Sequence, residues 1–297
     1  ERFARPDWLR VVIVGLLVGF GIGQQFQYGN AYRREWELQS NFFWQFTWRA
    51  PELRPGTLIV SYESPFTFYT DNSLTAPFNW IYAPENTTPR MDVMYYYLTV
   101  RLPQGRPLTQ PAQPIEQDYL AAAFSGSTSH MLVIDFSPPA CLRVYDPAAD
   151  LGIPMLPGDL RDVQPLSNLE QIVTAPPVAA VPAPEYIFGP EPPHNWCYYY
   201  QKADLARQMG DWAEVARLGD LAFALDDNPN EASERVVFIE GYARVGRWDE
   251  ALMLTRQARA ITPLMQPMLC AAWERIAASG GDPAVTASIR AELDCQP

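Results

Sequence analysis

The sequence predicts an α+β chain: an N-terminal membrane helix, a small mixed α/β domain and a C-terminal solenoid of helical repeats. Three observations predict it. "VVIVGLLVGFGIG", from Val11 to Gly23, is an uninterrupted apolar run of the kind a bilayer demands. Short β-branched runs, "TLIV" and "MLVID", alternate with helix-like stretches through the middle of the chain. Turn glycines at 210, 246 and 280/281 then recur between amphipathic stretches, a period of about 35 residues. The 297 residues suffice for two ordinary domains, and 29 prolines imply many irregular, extended connections.

The apolar run alone is shorter than the ~20 residues that span a bilayer. Adding Trp8, Leu9 and the residues up to Tyr28 brings 8–28 near that length, and we read 1–30 as a membrane helix. A signal-peptide core has a similar length, although no A-x-A-like site follows; a buried core helix is the remaining alternative. Seven aromatics follow between Tyr32 and Trp48. They fit either a headgroup belt or a helix face packed on the next domain. Arginines 2, 5 and 10 precede the run and Arg33 and Arg34 follow it. That excess leans towards a cell-membrane protein with an extracytoplasmic C-terminal body.

Residues 31–175 read as an interfacial aromatic helix leading into the small α/β domain. "GTLIVSYE" (56–63) is a buried strand. Asp71 or Asn72 caps a short helix that Pro77 interrupts or begins. "DVMYYYLTVRL" (92–102) suits strand or helix, and "IEQDYLAAAF" (115–124) is helix-like. "HMLVIDFS" (130–137) and "CLRVYDP" (141–147) read as a hairpin around "PPA".

Charge and motif content exclude several functions. The net charge is −12, and residues after 54 hold 15 basic against 29 acidic side chains. Such a body repels phosphate backbones, so nucleic acid is not an expected partner. The four cysteines are widely spaced and there are two histidines, which predicts no metal site and no cofactor. Asp71, Asp92, Asp118, Asp135 and Asp146 are scattered and read as caps and turn residues. Ser61, Ser73 and Ser125 lack the G-x-S-x-G context, and "FSGSTSH" lacks a P-loop lysine. The chain thus offers no catalytic residue, and whether it belongs to an enzyme is open.

The segment "FFWQFTWRAPELRPGTLIVSYE", followed by "DNSLTAPFNWIYAP" and "CLRVYDP", loosely resembles the C-terminal region of large bacterial polytopic membrane proteins of the lipid-linked-sugar glycosyltransferase type. The likeness covers 8–175 and is compositional. It implies the extracytoplasmic tail of such a transferase, whose catalytic carboxylate lies in an early loop outside this chain.

A stretch with seven prolines, 175–193, reads as an extended linker, placed at 176–193. Beyond it, 194–297 repeats a helix–glycine turn–helix plan. Tyr242, Gly246, Trp248, Glu250, Ala251, Ala258 and Pro263 match the tetratricopeptide pattern, as do Gly210, Trp212 and Ala222 in the preceding unit. Lys202 and Val215 depart from it. The third unit keeps little beyond its turn. This module resembles a tetratricopeptide repeat, about 34 residues per helix pair. The resemblance implies protein–protein docking in an inner groove lined by Tyr200, Asp204, Arg207, Glu240, Arg244 and Arg275. The chain so read is a membrane-anchored scaffold; the alternative is that the repeats only brace the middle domain. Cys270 and Cys295 lie on the two helices of the third unit, within two residues of level across its turn. That offset is about 3 Å at 1.5 Å per residue, so an oxidising compartment would permit a disulfide; two free, packed cysteines are the alternative.

Overall fold

The computed structural model describes residues 7–67, 70–174, 185–227, 229 and 231–296. It opens with one unbroken helix, α1 (Asp7–Arg49). Proline is absent between Pro6 and Pro51, so nothing interrupts the hydrogen-bond ladder between the apolar run and the aromatic segment. The halves of this helix differ. Val11, Leu16, Leu17, Phe20 and Ile22 are exposed, whereas Phe42, Phe43, Trp44, Phe46 and Trp48 are buried. Among the described residues α1 is the one helix long and apolar enough to cross a membrane, and its most apolar window is uncovered. The seven aromatics divide accordingly. Tyr32 and Trp36 are exposed, continuing a four-residue stripe from Tyr28, and the other five are core.

The middle region is built on a four-stranded sheet. Strands β1 (Thr57–Ser61), β3 (Val93–Tyr97), β6 (Met131–Asp135) and β7 (Arg143–Val144) lie in the order β3-β1-β6-β7. The first three are parallel and β7 pairs antiparallel with β6. Helix α2 (Asp71–Tyr82) makes the crossover from β1 to β3. Its N-cap position is Thr70, not Asp71 or Asn72, with no side-chain capping bond, and it runs unbroken through Pro77, while Asp71 bonds Arg101 at 2.5 Å.

Parallel strands are covered on both faces, and alternate residues feed two cores. Ile59, Tyr95, Leu132 and Ile134 pack with α2 and the aromatic half of α1. Leu58, Val60, Tyr96 and Val133 pack beneath α4 (Gly158–Val163) and a second sheet. That sheet has the order β2-β5-β4, from β2 (Arg90–Met91), β4 (Pro114–Tyr119) and β5 (Ala122–Ser127). A short helix, α3 (Leu98–Arg101), follows β3.

Residues 115–124, read as helical from their alanines, are therefore an antiparallel hairpin with Tyr119 opposite Ala122. Helix propensity is worth less than about 1 kcal/mol per residue. Burying Ile115 and Phe124 against the sheet outweighs it.

Much of the proline-rich stretch lies outside the described residues. From 185 the chain re-enters as α5 (Glu185–Phe188), whose Phe188 ring lies 4.5 Å from that of Phe43. The C-terminal region is helical. It comprises α6 (Trp196–Gln208), α7 (Trp212–Phe223), α8 (Val236–Arg244), α9 (Trp248–Ile261), α10 (Gln266–Ala278) and α11 (Pro283–Glu292). The pairs α6/α7, α8/α9 and α10/α11 pack together, α7 also meets α8, and α8 lies against both α6 and α10. Gly210, Gly246 and Gly280 close the first helix of each pair with φ of 74°, 79° and 88°. Val215, too large for the expected alanine, is accommodated by Gly241, where a Cβ would stand 2.3 Å from Val215 Cγ1.

Candidate functional site

The six residues assigned to a repeat groove do not face open space. Asp204 accepts from Arg49 at 2.5 Å and from Arg207 at 2.8 Å, and Arg207 reaches Asp146 at 2.7 Å. Glu240 holds Arg275 at 2.9 Å, and Arg275 also donates to the Ala148 carbonyl at 3.0 Å. Tyr200 is buried under Arg143, which bonds Asp150 at 2.8 Å. Arg244 instead stacks on Trp212, 4.7 Å from its ring centroid.

The partners Arg49, Asp146, Ala148 and Asp150 all come from α1 or from the loop after β7. That loop approaches so closely that a Cβ on Gly152 would stand 2.8 Å from the Met268 backbone. The space left is about 10 Å³, at most one water molecule. Burial opposes ionisation of Asp204, yet Arg207 and Arg49 hold its pKa down at about 2. Asp146 is also lowered: Arg207 outweighs its burial. This face of the helices is closed by an ion-pair network, in which one Arg49 nitrogen, Nη2, stays buried without a hydrogen-bond partner among the described residues.

Open space lies instead at the carboxyl ends of β1 and β6. The chain leaves β1 towards β3 on one side, and β6 lies on the other, so this is the point where the connection direction reverses. Open parallel sheets form their ligand crevices there. The cleft measures about 450 Å³, and its wall includes Tyr62, Glu63, Asp135, Arg143, Tyr145 and Glu231.

Each polar group there has a local origin. Ser61, the last residue of β1, accepts from the Tyr95 hydroxyl at 2.8 Å and donates to the Glu63 carbonyl at 2.9 Å. Its proton is thus committed to the backbone, which removes it as a nucleophile. Asp135 ends β6 and accepts from Ser137 at 3.2 Å. Burial raises its pKa against the lowering influence of Ser137 and of Arg143. Arg143 points its guanidinium to Asp150, to Ser233 at 2.6 Å and, at 3.8 Å, to Glu231. Tyr145 is 2% exposed. Burial raises its pKa well above the ordinary value, and among the described residues no side chain or backbone group hydrogen-bonds its hydroxyl.

All four cysteines are bonded. Cys270–Cys295, with a Cα separation of 5.5 Å, joins α10 to the chain just past the end of α11, so Cys295 is not on the last helix as expected. Cys141–Cys197, at 5.3 Å, ties the cleft wall to α6, a pairing the spacing did not suggest. The two histidines lie elsewhere, His194 stacked on Tyr198 at 3.5 Å. Among the described residues no three His, Cys, Asp or Glu side chains converge as a metal site would require.

Asp135 and Tyr145 were legible only as a turn acid and a strand aromatic. A usable signal was present: "LIVSYE" and "LVIDFS" both end an apolar strand with a polar residue followed by an aromatic. In parallel strands those positions fall together at one sheet edge. Compared with known proteins, the chain matches no family model, no curated protein and no solved structure.

Proposed function

We propose that this chain is the membrane-anchored, outward-facing part of a protein whose body binds a small polar ligand in the cleft at the ends of β1 and β6. The observation that carries the reading is the cleft itself: about 450 Å³, with the nearly buried Tyr145 hydroxyl unpaired and the Asp135 carboxylate under-bonded. Groups that open onto a cleft without full partners in their own chain are free to take up a ligand. The uncovered apolar half of α1 supports the anchor. Two disulfides support the outward orientation, because such bonds persist in oxidising compartments.

The helical repeats, read as tetratricopeptide-like, serve in this proposal as a brace. Their inner face is taken by residues of the same chain, so a docked protein would have to use the outer faces of α7, α9 and α11. A second reading keeps the same cleft in another setting: the extracytoplasmic tail of a polytopic membrane glycosyltransferase. It is favoured by the uncovered α1, which further spans could pack against.

The test combines topology with binding. Protease added to intact cells should digest the body while sparing α1. Thermal shifts of the purified full chain with polar metabolites should disappear in Asp135→Asn and Tyr145→Phe. A ligand shift that survives both substitutions would move the site elsewhere.

A further inference from the structure

We propose that the strand-end cleft binds an ammonium group. The inference rests on the cleft being the ligand site and adds what it selects. Three carboxylates, Glu63, Asp135 and Glu231, line it, against one guanidinium, Arg143. Arg143 is already engaged by Asp150 at 2.8 Å and Ser233 at 2.6 Å. The cleft therefore holds net negative charge, which repels phosphate, sulfate and carboxylate ligands.

The serine hydroxyls that would recognise a neutral polyol are occupied. Ser61 donates to the Glu63 carbonyl, Ser64 to the Phe66 carbonyl at 2.6 Å, and Ser137 to Asp135. What remains unsatisfied is mostly acceptor capacity: three carboxylates and the lone pairs of Tyr145, against the single O–H donors of Tyr62 and Tyr145. An ammonium group supplies up to three N–H donors and a positive charge, complementing both deficits. Tyr62, Phe136 and Tyr145 add aromatic rings to the same wall, and ring faces attract cations.

The direction of approach also follows from the fold. Along α1, Glu35 bonds Thr67 in the loop after β1, Phe42 meets Phe66 and Phe136, and Phe46 meets Tyr82 at the far end of α2. The Tyr82 hydroxyl reaches the Ala50 carbonyl. The strands therefore run back along α1, and their carboxyl ends face its uncovered apolar half. Glu35 is seven residues past Tyr28, about 10 Å along the helix. An ammonium ligand can thus come from a free amine or from a lipid headgroup.

The experiment uses the full chain in dodecylmaltoside, titrated calorimetrically with ethanolamine, ethylamine, glycerol and inorganic phosphate. The expected result is saturable binding of the two amines, weakened about tenfold or more in Asp135→Asn and less in Tyr145→Phe, with unchanged circular dichroism. Because either variant could disturb folding, Glu231→Gln at the half-exposed rim gives an independent reading and should also weaken the amines. Repeating the titration in nanodiscs with and without phosphatidylethanolamine assigns the source. Competition by the lipid identifies a headgroup, and its absence a free amine. If glycerol or phosphate binds with the same residue dependence while the amines do not, the ammonium assignment fails and the cleft stands. If no probe senses the three substitutions, both fail.

Discussion

Two polar clusters lie on either side of the Cys141–Cys197 bond, and they handle buried charge in opposite ways. Between the helices and the loop after β7, Arg49, Asp204, Arg207 and Asp146 pair their charges across about 10 Å³ of residual space. At the strand ends, Asp135, Tyr145 and Glu63 face a cleft of about 450 Å³ with bonds unmade. Charge burial alone does not distinguish a site from a strut. Whether the fold itself supplies the counter-charge does. The repeat groove implied by family likeness is a strut by that measure, and the cleft is the site we propose.

The largest effect should come from Asp204→Ala, which leaves two buried guanidiniums without their shared carboxylate. A loss of about 3–5 kcal/mol in denaturant unfolding is expected. The folded pKa of Asp204, about 2, lies below the ordinary ~3.9 of an aspartate. Its contribution is thus fully present above about pH 4 and disappears as pH falls towards 2. A neutral outcome for the substitution would erase the contrast between the clusters.

Replacing Cys141 and Cys197 together by serine removes a link across 56 residues and should cost about 2–4 kcal/mol, read by the same unfolding assay. The amine titration should weaken too, because Cys141 belongs to the cleft wall. Unaltered binding would separate the two clusters completely.

Gly152→Ala should cost about 1–3 kcal/mol, since its Cβ would press on the Met268 backbone at a φ of 74°. Thermal melting would check it, and a tolerated alanine would mean the loop is free to lift off α10. Smallest of all, Tyr145→Phe should change stability by no more than about 0.5 kcal/mol, because no hydrogen bond within the chain is lost. A loss above about 2 kcal/mol would show that Tyr145 is structural.

Legibility in the sequence followed the range of the interactions. Buried strands announced themselves by β-branched runs, and the helix pairs by 3.6-residue periodicity with a glycine at each turn. The 115–124 hairpin did not, because its alanines favour a helix locally and the opposing preference comes from Ile115 and Phe124 meeting a distant core. Aspartates 135 and 146 looked alike as turn acids. One became a cleft residue and the other an ion-pair partner of Arg207, 61 positions away.

The sequence by itself determined that one segment is uniformly apolar, that the middle alternates strands and helices, and that the end repeats. Each of these is a statement about neighbours within a few turns of chain. Only the tertiary structure decided what covers each face. Arg49 and Asp204 are 155 residues apart, and a periodicity that marks a face as polar carries no record of which distant group will satisfy it. The same limit hid the cleft: strand ends become a site only when parallel pairing brings Ser61 and Asp135 to one edge of the sheet.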